Sequence, residues 1–432
     1  MKSLKIGVLI LLLPFLLVGQ EKPKAIEIVF GGFIRNDLMF NTRQISSARG
    51  ESQFSLVPLP ILYDFQNNDI NANPNFNMAI LNTRVNMKIY GPKAFGAKTY
   101  GFIEADFLGI STANKFAFRA RHAYIHFEWE KAKLLSGMYW HPIFVTDCYP
   151  GTVSFNTGVP FNPLSRVPQI RFTYPFSSKA SLFAAVMSQG HFVSVAPVGA
   201  AQNSGIPELH LQFQYKSDKL AAGAGVNYLT LKPSLTTIGV DAAGNPQTYT
   251  SDALAQGLSF IAYLKLTTKP LIVRAYGKYG QMDDHAVMMG GYAQVDIKNP
   301  TIQQVTEGYT EFVPFNVASA WIDFCTTGEK IRYGLFAGYS ENFGANKEIV
   351  AGSFSGRWGN VKNMMRFSPR IVFISNKTDF GFEVEYSTAS YAKSNPNGLT
   401  AEEITGINAK GKVINHELAD NIKFQFTMNY NF

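Results

Sequence analysis

The C-terminal stretch constrains this chain more than any other. From Asn421 to Phe432, apolar Ile422, Phe424, Phe426, Met428, Tyr430 and Phe432 alternate with Lys423, Gln425, Thr427, Asn429 and Asn431. An extended strand sorts such a series onto two faces, whereas an α-helix would scatter it around its circumference. Alone, the pattern would also suit the edge of a soluble sandwich. It recurs along the chain. Leu81, Thr83, Val85, Met87 and Ile89 alternate with Asn82, Arg84, Asn86 and Lys88. Leu209, Leu211, Phe213 and Tyr215 alternate with His210, Gln212, Gln214 and Lys216, and Phe380, Phe382, Val384 and Tyr386 with Gly381, Glu383, Glu385 and Ser387. Repeated period-two segments of about ten residues are the pattern of a barrel wall with lipid on one side and water on the other.

The connections carry a second regularity. Short polar joints near 91–98, 130–133, 177–179, 216–219, 267–270, 326–330 and 375–379 alternate with longer segments near 43–75, 110–115, 141–167, 189–206, 232–250, 282–308, 345–355 and 393–411. Outer-membrane barrels have short periplasmic turns and longer external loops. The expected fold is therefore all-β: a transmembrane antiparallel up-and-down β-barrel of about 16 strands, an even number that puts both termini on the periplasmic side. Composition agrees. Charged residues make up only 16% of the chain, below the usual quarter, yet no run after the first segment is apolar enough for a spanning helix. A soluble sandwich would need neither the even count nor the turn asymmetry.

The chain opens with a basic start at Lys2 and Lys5, an apolar run from Ile6 to Val18, and small Gly19. That order reads as a secretory signal over 1–19, too short to span a bilayer as a helix. Residues 20–432 are then expected to form a single barrel domain in the outer membrane of a Gram-negative bacterium. Lipid and lipopolysaccharide would surround it, and the barrel assembly machinery would read its terminal Phe432. Cys148 and Cys325 are too few for a disulfide framework. They fall in a long loop and at a short turn, so they are expected to be separated by much of the lipid band and to remain unbonded.

Four segments in order carry a further likeness: Asn82 and Arg84; Glu104, Asp106, Phe107 and Gly109; Arg119, Arg121, His122, Ala123 and Tyr124; and Leu135, Gly137 and Trp140. Together they resemble the DcaP-like porins. The resemblance implies a homotrimeric 16-stranded porin passing small anions, dicarboxylates among them. Two features depart from it. The coiled-coil lead segment of some members is absent, and Met138 and Tyr139 follow Gly137 in place of the commoner polar pair.

Alternation assigns faces residue by residue, because Lys or Arg costs about 2–4 kcal/mol at the lipid midplane. Arg84, Lys88, Arg119, Arg121, Arg171, Arg274, Lys278, Arg366, Arg370 and Lys423 take lumen positions, against fewer acids: Glu104, Asp106, Glu383 and Glu385. After Arg121 the apolar parity slips to Ala123, Ile125, Phe127 and Trp129, which calls for a β-bulge near His122. The segment 141–167, rich in aromatic residues and proline, is expected to fold inward and narrow the barrel, with Asp147 and Arg166 as its charged residues. The excess of guanidinium groups points to passive diffusion of small hydrophilic solutes with a preference for anions such as carboxylates. The competing reading is a structural or adhesive barrel whose arginines only pair with lumen acids. No nucleophile sits beside a base in a recognisable arrangement, so an enzyme is not expected, nor a cofactor or bound metal. Asp283, Asp284 and His285 read as a solvated loop. No basic run suits nucleic acid.

Overall fold

The computed structural model describes residues 26–47 and 55–432; the expected signal segment, 1–19, lies outside them. Sixteen antiparallel strands form the wall: β1 (Glu27–Asn41), β2 (in two pieces, Asn75–Ala79 and Arg84–Tyr90), β3 (Lys98–Asp106), β4 (Arg119–Glu128), β5 (Lys133–Trp140), β6 (Arg166–Pro175), β7 (Ala180–Met187), β8 (Glu208–Lys216), β9 (Leu220–Leu231), β10 (Ala255–Thr267), β11 (Leu271–Gly280), β12 (Phe312–Thr326), β13 (Ile331–Ala345), β14 (Val361–Ser375), β15 (Thr378–Ala392) and β16 (His416–Asn431). Each pairs with its chain neighbours, and β16 closes on β1 from Phe33↔Asn431 to Asn41↔Lys423. Closure matters in lipid, where an open edge would leave backbone amides without partners.

The faces sort as alternation requires. On β16, Ile422, Phe424, Phe426 and Met428 are exposed to lipid, while Asn421, Lys423, Gln425 and Thr427 are buried inside. On β4 and β3, Glu104 pairs with His122 and Ala105 with Ala120, which leaves Arg121 as the extra residue of a bulge. Arg121 and His122 therefore both avoid the lipid face. Gly137 of β5 shows why one glycine of the family-like motif is needed. Its φ is +130°, and a Cβ there would sit 2.3 Å from the Ala123 carbonyl oxygen of β4.

One strand departs from expectation. β2 breaks at 80–83, where Thr83 N donates to Ile80 O at 3.0 Å. Phe76 and Met78 face lipid before the break, and Val85 after it. Leu81, expected on the lipid face, turns into the core, and beside it Asn82 Nδ2 donates to Asp37 Oδ2 at 3.3 Å. The inserted turn resets the parity, so that Arg84 still points inward.

The last residue takes part in closure: Phe432 N donates to Gly32 O at 3.1 Å, and Gly32 N donates to Phe432 O at 3.3 Å. Deleting Phe432 is expected to lower the yield of folded, heat-modifiable barrel in the outer membrane. An unchanged yield on semi-native gels would contradict a role for the terminal aromatic residue in assembly.

Both cysteines are free, though not because much of the lipid band separates them. The loop after β5 descends inside the barrel, and Cys148 Sγ lies 3.4 Å from Leu264 O and 3.5 Å from Ala275 O. Ala275 sits only three residues from Ile272, the ladder partner of Cys325. Each thiol meets a backbone carbonyl instead of the other cysteine. Non-reducing mass spectrometry should show no disulfide. A thiol reagent should reach Cys325 first, since Cys148 is fully buried, and label Cys148 only after unfolding; equal labelling rates in the folded barrel would contradict this placement.

Candidate pore constriction

The loop 141–165 enters the barrel because one flank of it is apolar and one flank of the inner wall matches it. Ile143, Phe144, Val145, Val159, Phe161 and Leu164 pack in one buried cluster with Ile261, Tyr263, Tyr276, Trp321 and Phe336 from β10 to β13. Specific bonds fix the contact: Tyr276 OH donates to Ile143 O (3.2 Å), Trp321 Nε1 to Asn162 Oδ1 (3.1 Å) and Ser319 Oγ to Phe161 O (3.0 Å).

A second loop enters as well, which periodicity did not reveal. Residues 282–289, between β11 and β12, are buried, and Leu164 N donates to Ala286 O at 2.8 Å. Asp283, Asp284 and His285 are thus part of the interior, contrary to their reading as a solvated loop. Each has a partner. Lys278 of β11 pairs with Asp283; Asp284 Oδ2 accepts from Val195 N at 2.6 Å; His285 Nε2 lies 3.1 Å from Glu208 Oε1. Burial pushes the Asp284 carboxyl up to about 6. Burial also opposes charge on the His285 imidazole, but the Glu208 carboxylate outweighs it and carries the pKa up to about 9.

The inward cations fall into two groups. On β11 to β16, Arg274 and Arg370 pair with Asp323 (2.9 and 2.7 Å), Arg366 with Glu383 and Glu385 (2.8 and 2.9 Å), and Lys423 with Glu385 (2.6 Å). The loop tip lies over this group. Val153 N donates to Glu383 Oε2 at 2.6 Å, Gly151 N to Asp323 Oδ2 at 3.2 Å, and Lys423 Nζ to Ser154 Oγ at 3.0 Å. Four cations here share three carboxylates, each cation in an ion pair, and the geometry is that of an anchor. Lys278 is likewise engaged with the second loop.

The other group, on β2 to β6, is different. Arg119 pairs with Asp106 (2.6 Å), and Arg121 with Glu104 and Asp106 (2.7 Å each); Arg84 reaches Glu104 only at 3.5 Å. Arg166 belongs to the wall, as the first residue of β6, and not to the loop in which it was expected. Among the described residues it meets no carboxylate within ion-pair distance. Its guanidinium lies 4.9 Å from the Trp140 ring centre and contacts the His191 imidazole at 3.1 Å. Arg171 bonds Gln169 and the Trp140 carbonyl and lies over Phe183. Five guanidinium groups thus face two carboxylates. Lys88 sits over the Tyr100 ring at 4.2 Å. Asp147, the remaining loop candidate, pairs at 2.5 Å with Lys216 at the turn end of β8, away from this wall.

Between the basic wall and the loop lies a cavity of about 380 Å³, lined by Arg84, Arg121, Tyr139, Trp140 and Arg166 on one side and Phe144, Tyr149, Phe155, Thr157 and Leu164 on the other. The Nε atoms of Arg84 and Arg166 are buried without hydrogen-bond partners among the described residues. A larger apolar groove of about 710 Å³, over Ala262, Gly277 and Ala320, runs along the lipid face and has no part in this arrangement.

Sequence reasoning passed over Asp323, Asp37 and the His141–Glu208–His285 cluster. Asp323 was within reach of the same parity rule, since Ile322 beside it is exposed to lipid. The histidine cluster has no local signal, because its members are far apart in the chain.

A closed sixteen-stranded barrel narrowed by an inward loop is the architecture of outer-membrane porins. Among solved structures, the chain is similar to the outer membrane channel DcaP of Acinetobacter baumannii, with a TM-score of 0.64 at 15% identity over 96% of this chain and 100% of that one. It is also similar to an anion-selective porin from Comamonas acidovorans (TM-score 0.53, 10% identity, 94% and 100% covered) and to the trimer form of OmpT, an outer membrane protein of Vibrio cholerae (0.52, 10%, 95% and 100%). At these identities the likeness is one of fold. No protein-family model matches the chain, and no curated protein matches it in sequence.

Proposed function

We propose that this protein is an outer-membrane porin for passive diffusion of small hydrophilic solutes, preferring small anions such as carboxylates. The observation that carries the reading is the one-sided constriction. Arg84, Arg121 and Arg166 face a cavity whose other wall is the apolar and hydroxylic side of the loop. A solute carboxylate entering there meets guanidinium donors that the protein's own acids leave in excess, and Arg suits paired acceptance by such a group. The fold shared with the DcaP channel and the Comamonas porin supports the same reading, as do the tyrosine and tryptophan rings that keep the passage narrow. Export to the outer membrane through a cleaved segment at 1–19, and assembly as a homotrimer, belong to the same proposal.

The competing reading is a structural or adhesive barrel. It draws on the ion-paired charges of β11 to β16 and on the second inward loop. Planar-bilayer recording of purified protein separates the two: discrete conductance with an anion-signed reversal potential supports the porin, and absence of conductance supports the structural barrel.

A further inference from the structure

We propose that His141, Glu208 and His285 form a site for one divalent transition-metal ion, zinc foremost, that ties both inward loops to the barrel wall. The three residues come from different elements. His141 opens the 141–165 loop, Glu208 opens β8, and His285 lies in the second inward loop. His141 Nε2 is 2.9 Å from Glu208 Oε1, His285 Nε2 is 3.1 Å from the same oxygen, and the two Nε2 atoms are 3.4 Å apart. Donors about 2.0–2.1 Å from a tetrahedral ion stand about 3.3 Å from one another. The observed triangle is close to one face of that polyhedron. Among the described residues this is the one place where three such donors converge.

The surroundings add an independent sign. Glu208 is buried, and its second carboxylate oxygen, Oε2, has no hydrogen-bond partner among the described residues. His285 and Asn227 both bond Oε1, so the second anionic oxygen is left uncompensated in the interior, which is costly. Outer contacts orient the donors as metal sites require. Asn227 Nδ2 donates to Glu208 Oε1 at 2.6 Å, and His285 Nδ1 faces Met282 O at 3.2 Å, so the tautomer protonated at Nδ1 turns the Nε2 lone pair toward the centre. The opposing contact is weak: Ile143 N lies 3.3 Å from His141 Nδ1, and ligation through Nε2 gives it up. Two imidazoles with one carboxylate suit zinc and its neighbours rather than calcium or magnesium, which take oxygen donors. The nearby acid, Asp283, is already paired with Lys278.

Metal binding does not depend on conduction, so the test is separate from the porin reading. Untagged, folded full-length protein in detergent is stripped with chelator and titrated with Co²⁺ and with Zn²⁺. About one ion per chain is expected, with the visible spectrum of low-coordinate Co²⁺ and displacement by zinc. His141→Gln and His285→Gln should each abolish stoichiometric uptake while the barrel stays heat-modifiable. Asn227→Ala should weaken binding about 10-fold to 100-fold, as loss of a group orienting a ligand does. Because the wall folds without these side chains touching lipid, heat-modifiability reports folding independently of uptake. Wild-type protein that holds no more metal than the double His→Gln variant would overturn the proposal and leave a proton-bridged cluster in its place.

Discussion

A tenfold KCl gradient across a bilayer holding this protein is expected to give an anion-signed reversal potential, and replacing Arg84 and Arg166 with Gln should remove most of it. At about 6 Å in a water-like medium, one unit charge changes an anion's energy by about 0.7 kcal/mol, roughly threefold in occupancy. Loss of two guanidinium groups should therefore lower the anion preference about tenfold in dilute salt. The effect shrinks as salt rises and the screening length falls below about 10 Å. These two positions are chosen because their removal orphans no acid. Arg166 has no carboxylate partner among the described residues, and Glu104 keeps Arg121 at 2.7 Å when Arg84 is gone. Replacing Arg119 and Arg121 together with Ser is a poorer experiment, although neither faces lipid. It would strand buried Asp106, which has both as partners, at about 3–5 kcal/mol for a broken buried pair. Cation preference in the unmodified channel would sink the selectivity reading.

Arg366→Met should have the largest effect on stability and should loosen the loop at the same time. The guanidinium holds Glu383, Glu385 and Asn156 Oδ1 together, the last at 2.8 Å. Its loss leaves buried carboxylates short of a cation, a cost of about 3–5 kcal/mol, which should appear as a lower temperature of heat modification. With the anchor of Val153 weakened, single-channel current should become larger and noisier. An unchanged melting point with quiet current would show that the apolar contacts with β10 to β13 alone retain the loop.

The wall was legible in the sequence because lipid imposes a rule on every second residue. Parity at Ile422 to Phe432, together with turns near 216–219 and 326–330, was enough to place β16 and the turn ends of β8 and β12. The slip after Arg121 was readable for the same reason, as a change of apolar parity. The interior was less legible. Inside a barrel no solvent rule sorts side chains, so Asp283 and His285 gave no sign that their loop is buried. Their partners Lys278 and Glu208 lie on strands, and only the closed fold brings Glu208 beside His285. Parity assigned Arg366 and Arg84 to the same face but could not tell a charge locked into close ion pairs under the loop tip from one left with a single long contact to Glu104. That distinction depends on where the loop tip comes to rest.

The way that tip is held has an evolutionary consequence. Glu383 and Asp323 grip the loop through the amides of Val153, Ser154 and Gly151, and every residue but proline offers an amide. Of the three, Ser154 also receives Lys423 Nζ at its hydroxyl, and a Cβ at Gly151 would stand 3.0 Å from an Arg370 nitrogen, so these two are the less exchangeable. Side chains that rim the opening, such as Tyr149, Phe155 and Thr157, can therefore be exchanged without rewriting the wall that carries them. The anchor is indifferent to the very residues that shape the passage, which leaves the filter free to diversify on a fixed frame.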